Sequence, residues 1–123
     1  MLRTAKVMTF VATNQPEAAL AFYRDVLGLT FVEDNGFSMV FDLAGTHLRV
    51  QKTKGWQPPP HTALGWEVED IVATMRGLAE RGVTFLQIGI PTQDKEGVWT
   101  APGGARIAWF KDPDGNTLSL TQF

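Results

Sequence analysis

In the run Thr46-His47-Leu48-Arg49-Val50-Gln51, polar and apolar residues alternate, so a strand here puts His47, Arg49 and Gln51 on one face. A guanidinium on such a face is a permanent cation with a planar fork of donors, suited to a carboxylate, phosphate or enolate oxygen of a ligand. Its competing role is an ion pair with an interior carboxylate such as Glu67, or with one from a partner chain. The second histidine, His61, falls in step with Ala63, Gly65 and Glu67, so that an imidazole and a carboxylate share a strand face. Trp99 lies in the long polar run 91–104, where an indole lines a pocket for a flat apolar ligand or covers a core edge. Several chemistries have no residues to perform them. With 0 cysteines the chain has no thiol nucleophile, disulfide or thiolate metal site. Neither a nucleophile elbow nor a phosphate loop is present, and Gly103-Gly104 suits a bend better than a phosphate cradle.

These residues must be positioned by strands and helices, and the order of those elements repeats. The stretch from Ala63 to Asp70 follows the pattern of Val7 to Asn14 at a separation of 63 − 7 = 56 residues, and each copy runs into a helix. In the first copy, residues 4 to 12 alternate as a strand, Asn14 is placed to cap a helix, Pro16 and Glu17 suit its first turn, and Gly28 ends it. Strands are predicted near 29 to 34, 37 to 43 and 46 to 52, divided by the turns Asp34-Asn35-Gly36 and Ala44-Gly45. The proline-rich segment 54–60 is a linker. The second copy predicts a strand over 61 to 68, a helix from an Asp70 cap to a Gly82 stop, and strands near 83 to 90, 104 to 111 and 117 to 122. The reading is an α+β fold of two βαβββ modules, about 1–53 and 61–123, forming a curved mixed sheet around a cavity.

Composition narrows the partners. A net charge of −2 and scattered lysines and arginines offer no basic stripe for nucleic acid. No apolar run has the length of a membrane span, and a cytoplasmic protein is expected.

Two motifs carry a family resemblance. Phe22-Tyr23-Arg24-Asp25-Val26-Leu27-Gly28-Leu29, together with Trp109-Phe110-Lys111-Asp112-Pro113-Asp114-Gly115-Asn116-Thr117-Leu118-Ser119-Leu120, resembles the vicinal oxygen chelate superfamily of glyoxalases, extradiol dioxygenases, fosfomycin resistance enzymes and bleomycin resistance proteins. The resemblance implies a divalent metal held by His, Gln or Glu from four strands. By alignment to the motifs the corresponding positions here are Val7, Arg49, Ala63 and Ser119, which form no competent ligand set. A shifted set of His47, His61 and Glu67 is the alternative, although a step of two residues moves a ligand by about 7 Å along a strand.

The expectation is a metal-free, cofactor-free protein that binds a small organic molecule, an anionic one if Arg49 is unpaired, through Arg49, His47, His61, Glu67, Ser119 and Trp99. A lyase, isomerase or dioxygenase of glyoxalase type is the first alternative, and an interaction module with a vestigial groove the second. Small members of the superfamily commonly build their cavities across a two-fold axis, so the resemblance also implies a homodimer.

Overall fold

Strand alternation builds the first sheet. Its strands are β1 (Met8–Thr13), β2 (Thr30–Asp34), β3 (Ser38–Leu43) and β4 (Thr46–Lys52), ordered β1-β4-β3-β2, with β1 parallel to β4 and the remaining pairs antiparallel. The computed structural model describes all residues 1–123, and they divide into two units, Met1–Pro58 and Pro59–Phe123. In the first unit Val11, Met39, Phe41, Leu48 and Val50 are buried together with Ala19 and Tyr23 of the helix. Tyr23 and Phe31 both lie against Phe41, with ring centroids 6.0 and 5.5 Å away. Each large side chain buried in this way contributes about 1.5–3 kcal/mol relative to exposure.

The helix starts one residue later than the Asn14 cap predicts. Helix α1 (Pro16–Leu20) has Gln15 at its N-cap, which makes no side-chain capping bond. The Gln15 carbonyl accepts the first helical bond, from the Ala19 N–H, and the Thr13 hydroxyl accepts the Gln15 N–H at 2.9 Å. From Ala21 to Val26 the helix widens to π geometry, and the Leu27 N–H reaches back to the Phe22 carbonyl. Gly28 then leaves the helix at φ +72°. At the far end of the sheet the Lys52 ammonium, 2.7 Å from Asp34, fastens the β2–β3 hairpin to β4.

The second unit holds β5 (Thr62–Glu67), α2 (Ile71–Glu80), β6 (Trp99–Thr100), β7 (Arg106–Lys111) and β8 (Thr117–Gln122), in the sheet order β5-β8-β7-β6. Here the predicted cap forms: the Asp70 carboxylate accepts the Ala73 N–H at 3.0 Å. Ile71 and Met75 on α2 are buried with Ala108, Phe110, Leu118 and Leu120 of the sheet, and Trp66 stacks on Phe110 at 6.4 Å. The turn after β7 is tied by the buried Asp112 carboxylate, which accepts N–H bonds from Asp114, Asn116 and the Asn116 amide.

The strand predicted over 83 to 90 does not form. Only the Leu86 N–H reaches the β7 backbone, at the Trp109 carbonyl, and the neighbouring groups turn to a side chain instead. The Gln93 amide donates to the carbonyls of Leu86 and Gly97 and accepts the Ile88 N–H, so it satisfies backbone that a ladder would otherwise pair. The outer place beside β7 goes to Trp99–Thr100.

Candidate functional site

Each sheet has one face on its helix and core and an opposite face, called open because Met8 and Phe10 on it are exposed although Val40, Ser38 and Ser119 are buried, and the predicted functional residues sort onto the open faces by register. In the first unit, pairing across β1, β4 and β3 gives three rows: Met8, His47 and Asp42; Phe10, Arg49 and Val40; Ala12, Gln51 and Ser38. Neighbours in register share a face, so His47 and Arg49 stand together as alternation predicts. Around them are residues that sequence reasoning did not assign to a site: Phe10, 50% exposed, and Met8, 43% exposed. Their presence on the open side follows from the burial of Val11 and Thr13 on the other.

Arg49 is the singular group of this face. Its Nε is buried and has no hydrogen-bond partner. Arg49 takes no part in the ion pairs Arg24–Asp25 and Lys52–Asp34 and is unpaired within its module, even though Asp42 and Glu33 lie on the same face. Asp42 is occupied at its turn, where it accepts the Gly45 N–H. A buried donor left without a partner costs about 1–3 kcal/mol, and a desolvated cation attracts an anion more strongly than a hydrated one.

On the second unit's open face, β8 contributes Thr117, Ser119 and Thr121, paired respectively with Lys111, Trp109 and Ile107 of β7. Gly65 and Glu67 are the β5 partners of Ser119 and Thr121, and Trp99 is the partner of Ile107. Three predicted residues, Trp99, Ser119 and Glu67, therefore share one face. Trp109 joins them; its alternation with the core residue Phe110 was the signal for that side. The Trp99 and Trp109 rings lie 6.2 Å apart at 32°, and the Trp99 indole donates to the Thr92 hydroxyl at 3.0 Å. Gly65 leaves room for Ser119: a Cβ on Gly65 would sit 2.5 Å from the serine Oγ.

His61 does not join this set. It precedes β5, is exposed, and its Nδ1 lies 3.0 Å from the Thr62 carbonyl. A bulge between Thr62 and Leu64 breaks the alternation that linked His61 to Gly65 and Glu67, so that Thr62 pairs with Thr117 on the Ser119 face.

The superfamily's sequence profile matches residues 5–120. The chain belongs to the glyoxalase/bleomycin resistance protein/dioxygenase superfamily. Among solved structures, a superfamily member from Sphaerobacter thermophilus is 25% identical with a TM-score of 0.77, and the match covers 100% of both chains. Another, from Catenulispora acidiphila, is 28% identical with a TM-score of 0.68, covering 96% of this chain and 97% of that one. The lactoylglutathione lyase of Agrobacterium tumefaciens, 17% identical with a TM-score of 0.73, covers 97% and 93% and shares the fold. No protein of curated function matches the sequence.

The divalent metal implied by superfamily resemblance does not fit these residues. Val7 lies outside β1, is 69% exposed, and by parity belongs with Thr9 and Val11 rather than with Arg49. The N-caps Gln15 and Asp70 are 70 − 15 = 55 residues apart, as are Phe10 and Gly65, the parallel partners of Arg49 and Ser119, at 65 − 10 = 55. The true repeat is thus one shorter than the 56 read from sequence, and Met8 replaces Val7 as the residue that corresponds to Ala63. A thioether, a guanidinium, a methyl and a neutral hydroxyl are poor company for a hard or borderline dication. No three side chains of His, Asp or Glu are grouped to hold one. No helix is long and apolar enough to cross a membrane.

Proposed function

We propose that this superfamily member is a cytoplasmic binding protein of the bleomycin-resistance kind, taking a small organic anion without a metal and sequestering a toxic or antibiotic compound. The observation that carries this reading is Arg49, a guanidinium with an orphaned buried Nε and no ion pair, beside Phe10 and Val40 on an open sheet face. A carboxylate or acidic hydroxyl docked on its fork supplies the missing counter-charge, and the apolar neighbours strengthen that attraction by excluding water. His47 adds an imidazole on the same face. In the other module, the paired indoles of Trp99 and Trp109 suit a flat apolar group, with the Ser119 hydroxyl and Glu67 carboxylate for polar contacts.

The protein is further proposed to act as a homodimer. Strand β1 is an edge strand, and Met8, Phe10 and Val32 expose apolar surface that a second copy would cover.

The test is calorimetric titration of chelator-treated protein with a panel of aromatic and aliphatic carboxylates and their matched neutral amides. At least one acid should bind about tenfold or more tightly than its amide, a difference of roughly 1.4 kcal/mol. Binding that vanishes on chelation and returns with an added divalent ion would overturn the metal-free reading.

A further inference from the structure

Away from both open faces, the second unit contains a cavity of about 270 Å³ on its helix side, between α2 and the loop that replaces the predicted strand. It would hold several water molecules at ~30 Å³ each, and lies just below the range of drug-sized pockets. Val72, Met75, Arg76 and Ala79 line it from one stripe of α2, at the spacing that puts helical side chains on a common face. Phe85 and Val98 close it from the opposite side.

Both walls are fixed before any ligand arrives. Met75 and Val98 are buried, and Phe85 packs edge-on against the core ring of Phe110 at 5.6 Å. The loop wall is braced three times, first by the Gln87 amide, which donates to the carbonyls of Asp94 and Lys95. Gln93 bridges Leu86, Ile88 and Gly97, and the Asp94 Oδ1 accepts the N–H groups of Glu96, Gly97 and Val98 at 2.9, 3.0 and 2.9 Å. Gly97, at φ +104°, lies so close to Phe85 that a Cβ would stand 3.2 Å from the Phe85 Cβ. Protein interiors close over gaps unless something holds them apart, and here the hydrogen bonds of the loop do so.

The charged groups of the cavity are of both signs. Arg76 stands on the helical wall and Asp94 and Glu96 on the loop wall, and none takes part in the ion pairs Arg24–Asp25 and Lys52–Asp34. The three backbone bonds to Asp94 use Oδ1 and leave Oδ2 available. A cation on one wall, carboxylates on the other and an apolar floor match a molecule with one carboxylate, one ammonium and a hydrophobic side chain.

We propose that this cleft is a second ligand site, separate from the Arg49 face, and that it takes a free α-amino acid with an apolar side chain. Its carboxylate lies on Arg76, its ammonium on the Asp94 and Glu96 carboxylates, and its side chain on Met75, Val98 and Phe85. The test is an NMR titration of the full chain with L-leucine, leucinamide (no carboxylate) and 4-methylpentanoate (no ammonium), following the methyl groups of Met75 and Val98. L-Leucine should give saturable shifts with a Kd on the order of 1 mM, and each analogue should bind about tenfold more weakly. Arg76→Gln should abolish the preference for leucine over leucinamide, and Glu96→Gln should narrow the preference over 4-methylpentanoate. Both positions are exposed, so both variants should keep the wild-type spectrum elsewhere. Arg49→Met should leave the leucine titration unchanged, which separates this site from the proposed anion site. Equal binding of the three compounds, shifts confined to the Phe10 and Arg49 face, or no saturation by about 30 mM would each overturn the proposal.

Discussion

Replacing Arg49 by Met should move stability and ligand binding in opposite directions. The methionine matches the apolar stem of arginine while removing the cation and the orphaned Nε. Leaving a buried donor unpaired costs about 1–3 kcal/mol, and because Arg49 is only partly buried the lower end applies. The ligand-free variant should therefore be about 1 kcal/mol more stable, which raises Tm by roughly 3–5 °C for a domain of this size. Truncating one member of a buried charge pair costs about 2–5 kcal/mol in binding. With the neighbouring Phe10 half exposed, the figure to expect is again near the lower bound: about 2 kcal/mol, or roughly a 30-fold rise in Kd for an anionic ligand. Its neutral amide should lose much less. Thermal melts without ligand and calorimetric titrations with acid and amide read the two effects separately. A variant that melts lower than wild type while losing equal affinity for acid and amide would refute the reasoning, because Arg49 would then be a satisfied structural residue.

Elemental analysis of protein purified without added metal should find no stoichiometric Ni, Zn, Mn or Fe; one tightly held equivalent per chain, lost on substituting His47 or His61, contradicts the donor-set argument. Light scattering at micromolar concentration should give the mass of a dimer, and a monomer would refute the covering of Met8 and Phe10 by a second copy. Gly65→Ala should cost about 1 kcal/mol, since the new methyl must push the Ser119 Oγ aside, and most of that cost should disappear when Ser119→Ala is added; additive effects in the double-mutant cycle argue against the contact. Asp70→Ala should lower stability to urea by about 1 kcal/mol through loss of the α2 cap.

The alternation of His47, Arg49 and Gln51 was legible because β4 pairs on both sides without a bulge, so period two holds along its length. The same rule misplaced His61, because the bulge at Thr62 to Leu64 adds a residue that no pattern of polar and apolar types announces. Val7 was a one-residue slip, and in a strand one residue exchanges the two faces. Asp70 was readable as a cap, whereas at the first helix Gln15 takes the place that Asn14 seemed made for. Trp109 could have been assigned by counting back from Phe110. The unpaired state of Arg49 could not be read, since several carboxylates in the sequence were equally eligible partners.

The outermost strand of the second sheet is two residues long, and the chain before it is held by the amides of Gln87 and Gln93 and the carboxylate of Asp94 rather than by a ladder. This separates two kinds of heritable change. In the first sheet, an insertion in β3 or β4, each paired on both sides, disturbs the pairing of both neighbours. Between Gln87 and Glu96, residues such as Lys95, whose side chain makes no bond to the loop, can vary in identity without any strand changing partner. That stretch is where a lineage, or a laboratory library, would diversify what this scaffold recognises while inheriting its architecture intact.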